Sequence, residues 1–235
     1  MNNNNILIIC LIIIIIILIS YNNKNNFENN WYEKIDGIVY INLENREDRK
    51  KLILKELTKI ETDMTHVNKV SGVLMPKNGH KGCIQSHILA LNIAKMNNWA
   101  QILIVEDDME LVVSPDEFNN SINHILDYMK SNNIKWDVIM LSTCFSKKTR
   151  ITDTIVQIKA ATTSSAYIIN KHYYDKLINL FIDSNNNMVK HKMTDGNWEP
   201  YALDQQWQKL QATDNWYGFT NDLIKQRNIS SSIQI

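Results

Sequence analysis

Three consecutive carboxylates, Glu106, Asp107 and Asp108, close the apolar run Ile102 to Val105 in the segment ILIVEDDMEL. Anions this close repel one another, at a cost on the order of a few kcal/mol per pair at an effective dielectric of about 20. A cation relieves that repulsion. Oxygen-only ligands suit Mn2+ or Mg2+, and ions of this kind also hold phosphates. The location matters too, because open α/β sheets bind ligands beyond the carboxyl ends of their strands. The cluster therefore reads as a metal–diphosphate site, with a solvated acidic turn as the other reading. A phospho-accepting receiver places its acids after the first strand, and an aspartate phosphatase wants Asp-x-Asp early. Here two predicted helices precede the cluster, so neither order fits.

Other residues suit the same chemistry. Asn42, Arg46 and Arg49 follow a predicted first strand, Gly37 to Leu43. An arginine fork matches phosphate geometry. The alternative is a helix-face ion pair with Asp48 or Glu47. A functional role is expected for Arg46 or Arg49, not both. Ser86 and His87 fall in the first turns of a helix behind Gly79 and Gly82. Asp204 is an isolated acid in the otherwise neutral segment Tyr201 to Trp207. It reads as a general base or as the N-cap of the helix that follows. Cys83 reads as a small buried residue. His66, His124, His172 and His191 belong to no cluster, and Trp198 and Trp207 read as core. Sequons at Asn119 and Asn228 are expected by chance among 31 Asn.

These residues need a scaffold. Short apolar runs, GIVYINL, QILIV and WDVIML, read as buried strands, and helical patterns separate them. Helices are predicted over Arg46 to Ile60, Cys83 to Met96 and Lys171 to Asp183. A fourth starts at Ser114, an N-cap followed by Pro115 and two acids, and runs to about Lys130. Further strands are predicted over His66 to Val70, Thr154 to Ile158 and Ser165 to Ile169. The alternation indicates an α/β domain with a mostly parallel central sheet.

The chain has 235 residues, 25 basic and 25 acidic, so its net charge is zero. Binding to nucleic acid through bulk phosphate neutralisation is excluded as a main function. Three cysteines at Cys10, Cys83 and Cys144 give neither a disulfide framework nor the close pairs of a zinc finger. Ile6 to Ile19 is uncharged and apolar. As a helix it spans about 21 Å, short of the roughly 30 Å hydrocarbon core. It reads as a short signal-anchor within residues 1–21, with a cleaved signal peptide as the alternative. Orientation stays open, so either the secretory route or the cytoplasmic face is compatible. Residues 22–34 read as an Asn-rich stem, and 35–235 as one folded domain.

Several segments together resemble glycosyltransferase family 25, which includes lipopolysaccharide (lipooligosaccharide) sugar transferases and collagen galactosyltransferases. In chain order they are VYINLENREDR, GHKGCIQSH, ILIVEDDMEL, WDVIMLS, TTSSAYIINKHYYDKLI, YALDQQW and IKQRNISSSI. They span essentially all of residues 35–235. The resemblance implies a GT-A-like fold and a UDP-sugar donor carrying galactose or glucose. It further implies Mn2+ or Mg2+, a glycan or hydroxylysine-type protein acceptor, and transfer with inversion. It assigns Asp108 to the metal and Asp204 to the base. Asn42, Arg46, Arg49, Glu106 and Asp107 are assigned to the donor, and Ser86 and His87 to substrate binding. His80 departs from the pattern, standing where the family usually has Glu. A relative that binds nucleotide-sugar without transfer is the alternative.

Overall fold

The computed structural model describes residues 12–16, 31–61, 63–190 and 199–229. Strand β1 (Gly37–Asn42) leads into helix α1 (Glu47–Ile60), then β2 (Val67–Ser71) and α2 (Gly79–Met96). Next come β3 (Gln101–Glu106), β4 (Met109–Leu111), α3 (Pro115–Ser131) and β5 (Val138–Met140). A hairpin of β6 (Cys144–Arg150) and β7 (Ile155–Thr162) precedes β8 (Ala166–Asn170) and α4 (Tyr174–Lys190). The short helices α5 (Leu203–Gln206) and α6 (Gln208–Gln211) precede β9 (Trp216–Phe219) and β10 (Ile224–Gln226).

Eight strands form one sheet in the order β2-β1-β3-β8-β5-β9-β7-β6. Strands β2, β1, β3, β5, β9 and β6 share a direction, and only β8 and β7 oppose it. The fold is thus α/β with a mostly parallel central sheet. Strand periodicity explains the layering. On β3, Leu103 and Val105 join one core while Ile102 and Ile104 join the other. On β8, Ile168 and Tyr167 divide in the same way. Helices α1 and α3 cover the first face, and α2 and α4 cover the second. A strand covered on both faces must be apolar throughout, so β3 reads as an unbroken apolar run.

Differences from the predicted elements have local causes. Helix α2 starts at Gly79 rather than Cys83, because Asn78 caps it by accepting from the Lys81 amide. Ser114 caps α3 as expected, accepting from Glu117 N at 3.1 Å. Strand β6 was not anticipated. Its sequence CFSKKTR is polar because it lies at the sheet edge, where lysines discourage further pairing. Only residues 12–16 of the apolar N-terminal run are described, and they are helical and exposed. Of the stem predicted over 22–34, residues 22–30 lie outside the described residues, as do His191 and Trp198; Trp31–Lys34 is instead a 3-10 turn whose Trp31 is buried in the core, so the folded domain begins before residue 35. Among the described residues, no helix is long and apolar enough to cross a membrane.

The loop from Gly72 to Asn78 lies against α2. Ser86 Oγ donates to Gly82 O at 2.7 Å and accepts from Val73 N at 2.9 Å. Gly82 lets the loop approach, since a Cβ there would lie 2.2 Å from Val73 O. A Gly82→Ala variant should therefore lose about 1–3 kcal/mol by overpacking. Chemical denaturation measures this, and an unchanged midpoint would show that the loop shifts freely.

Candidate functional site

Strand β3 ends at Glu106 in the middle of the sheet. The turn that follows holds Asp107 and Asp108, both buried. The three carboxylates point to different partners. Asp107 accepts from Arg49 Nη1 at 2.6 Å and from Asn42 Nδ2 at 2.8 Å. Glu106 Oε1 lies 3.2 Å from His87 Nε2 and also accepts from Ser164 Oγ. Asp108 Oδ2 accepts from Gln226 Nε2 at 3.1 Å, with Arg49 Nη2 at 3.5 Å. Its Oδ1 is buried with no hydrogen-bond partner among the described residues. Repulsion between the acids is thus largely met by the protein, and among the described residues two cleft oxygens, Asp108 Oδ1 and Asn42 Oδ1, are left without a donor.

The elements explain these placements. Asn42 is the last residue of β1, beside β3, and its side chain also donates to Arg46 O at 3.1 Å. Arg49 lies in the first turn of α1 and is buried against the acids. Arg46, just before α1, instead pairs with Asp48 at 2.8 Å. The structure therefore brings Arg49 to the cluster. His87 is fully buried on α2, with Nδ1 2.9 Å from Tyr167 Oη on β8. Ser86 lines the cleft, but its hydroxyl holds the Gly82–Val73 contact. Asp204 is not the N-cap of α5; that position is Ala202. Its Oδ2 accepts from Thr163 N at 3.1 Å. Thr163 has φ +84°, an uncommon value for a β-branched residue, and this bond helps hold it there.

Asn42, Arg49, Cys83, His87 and the three acids line a cleft open to solvent, together with Leu74 and Met75. The sequence reading missed several residues here. Ser164, Tyr167 and Gln226 supply hydrogen bonds to Glu106, His87 and Asp108. Cys83, read as a small buried residue, also lines the cleft, and its sulfur lies within 4.8 Å of ligand atoms of His87 and Glu106. Its position one helical turn before His87 was the available signal.

A family profile described as glycosyltransferase family 25 (LPS biosynthesis protein) matches residues 68–196, more than half of the chain. The chain belongs to glycosyltransferase family 25. It is a glycosyltransferase. No curated protein sequence matches it significantly. Solved structures of similar layout share little sequence with it. A197 from STIV aligns at TM-score 0.42 and 10% identity, over 83% of this chain and 86% of that one. A UDP-glucose pyrophosphorylase complexed with UDP-glucose gives 0.44 and 8%, over 79% and 73%. A glycosyltransferase involved in glycosylating the major capsid of PBCV-1 gives 0.40 and 7%, over 78% and 92%.

Burial sets the electrostatics of the cleft. Burial raises Glu106, but the His87 and Ser164 contacts outweigh it and hold the carboxyl below its ordinary value. Burial raises Asp107 despite Arg49 and Asn42. Burial and the nearby Glu106 charge push Asp108 up to about 7. Burial raises Asp204 and pushes the Cys83 thiol up. For Asp108 the fold favours the protonated form. Its contribution to stability is full below about pH 4 and is lost as pH rises through 7. Without metal, Asp108→Asn should therefore be the more stable protein at pH 8, by a few kcal/mol on an order-of-magnitude scale. That advantage should vanish towards pH 4. Thermal unfolding of both proteins across this range checks it, and equal stability at pH 8 would refute it.

Proposed function

We propose that this glycosyltransferase moves a hexose, galactose or glucose, from a UDP-sugar to a glycan or hydroxylysine-type protein acceptor. Transfer inverts the anomeric carbon and uses Mn2+ or Mg2+. The observation that carries this reading is the unpartnered, buried Oδ1 of Asp108 among cleft-lining acids. Unmet oxygen acceptors, the Asp108 carboxylate oxygen together with the Asn42 amide oxygen, fit a hard divalent cation. Asp108 would hold that ion, which would supply Lewis-acid charge for a departing diphosphate.

The chain's own residues do the rest. Arg49 and Asn42 fix Asp107 and neutralise it, so that a polyphosphate meets less repulsion on that side of the cleft. Glu106, oriented by His87 and Ser164, is an acceptor for donor hydroxyls. Arg46, paired with Asp48 where α1 begins, is a less direct donor contact than Arg49. Ser86 serves substrate through the loop it holds, whose Leu74 and Met75 line the cleft. Asp204 is the candidate base, and its raised affinity for a proton suits taking one from an acceptor hydroxyl. The apolar run 6–19 would tether the enzyme at a membrane.

The test is UDP release by the full chain in detergent, with UDP-galactose or UDP-glucose and either Mn2+ or EDTA. Release should require the metal and favour one sugar. Asp108→Asn should abolish it. Asp204→Asn should lower kcat about 10²- to 10⁴-fold while leaving the donor KM nearly unchanged. No release, together with no UDP binding by calorimetry, would overturn the proposal.

A further inference from the structure

Helix α2 and strand β3 bring together three side chains of a different chemical character from the Asp108 site. Cys83 and His87 are one turn apart on α2, and Glu106 faces them from the end of β3. Their ligand atoms all lie within 4.8 Å of one another. His87 Nε2 and Glu106 Oε1 are 3.2 Å apart. Zinc bond lengths to nitrogen, oxygen and sulfur place tetrahedral ligand atoms about 3.4–3.6 Å apart. The His–Glu pair is already near that spacing, and the Cys83 sulfur, within 4.8 Å of both, completes the set. We propose that Cys83, His87 and Glu106 form a binding site for a thiophilic divalent cation, Zn2+, in the wall of the cleft.

The chemistry of the set supports zinc over a hard ion. Sulfur and imidazole are ligands that Mg2+ avoids and Zn2+ favours. Three protein ligands leave a fourth position open. A thiolate and a carboxylate together cancel the charge of the ion, so the loaded site is neutral, as its burial requires. The proton balance is simple. Cys83 releases its thiol proton to solvent as sulfur bonds to the metal. The outer partners are also in place. With Nε2 on the metal, His87 Nδ1 carries the proton and donates it to Tyr167 Oη, now 2.9 Å away. Ser164 orients Glu106. Stacking against Tyr167 and an edge contact with Phe181 fix the imidazole plane. This proposal shares Glu106 with the donor site proposed above, and its test reads the metal alone.

Co2+ serves as the optical probe, titrated into the metal-free full chain. One equivalent should produce a thiolate-to-cobalt charge-transfer band in the near ultraviolet, which Zn2+ then bleaches. The band should persist in Asp108→Asn and Cys144→Ser and be absent in Cys83→Ser. Tyr167→Phe should raise the Co2+ dissociation constant about 10-fold or more, since outer partners commonly contribute that much. A second readout needs no variant: Zn2+ should slow alkylation of Cys83 but not of Cys144, as followed by peptide mass spectrometry. Absence of the band in the wild-type chain, its survival in Cys83→Ser, or alkylation of Cys83 at an unchanged rate with Zn2+ would each overturn the proposal.

Discussion

Ionised carboxylates are expensive to bury, and this protein buries or half-buries three in a row at the end of its central strand. Each must find a partner within the fold. The surrounding elements are arranged to supply one. Helix α1 brings Arg49, β1 brings Asn42, α2 brings His87, the loop before β8 brings Ser164, and β10 brings Gln226. Five parts of the chain therefore converge on one turn. Removing a single partner leaves a buried charge uncompensated, which is costlier than losing an exposed ion pair. The same convergence leaves Asp108 with its spare oxygen. The demand for charge at this site is narrow and directed.

The sheet makes this convergence possible. In a purely parallel sheet every strand beside β3 would deliver its carboxyl end to the same edge. Here β8 runs the opposite way between β3 and β5, so its amino end meets the acid turn. The loop before β8 thereby reaches Glu106, and Ser165 O accepts from the Glu106 amide at 2.9 Å. Asp204 holds that loop from the far side through Thr163. A candidate base, a strained residue and an acidic ligand are thus joined by two hydrogen bonds and a few residues of backbone.

How much of this is legible in the sequence depends on how local its causes are. Strands β1 and β3 are readable because burial on both faces makes them apolar runs. Helix α3 is readable because Ser114 and Pro115 mark its start. Strand β6 is not, because an edge strand need not be apolar. The start of α2 is hidden because Asn78, its cap, is one Asn in an Asn-rich chain. The acids at 106–108 stand out from composition and position alone, and the family resemblance adds Arg49 and His87. The pairing of Arg49 with Asp107, and of Gln226 with Asp108, spans 58 and 118 residues. No local pattern encodes contacts at such separations. The nearness of Cys83 to Glu106 was hidden for the same reason, since Glu106 comes from another element.

The pairing of β10 with β4 also bears on synthesis. Strand β4 directly follows the acid turn, and its partner leaves the ribosome more than a hundred residues later, a delay on the order of ten seconds. During that interval β1, β2 and β3 can assemble, but Gln226 and Arg227 are absent. Arg227 ties Glu56 and Glu110 together and donates its amide to Asp108 O, so the acid turn meanwhile lacks these contacts. A chain that stops short of β10 thus exposes two acids, Glu56 and Glu110, that the finished fold pairs with Arg227.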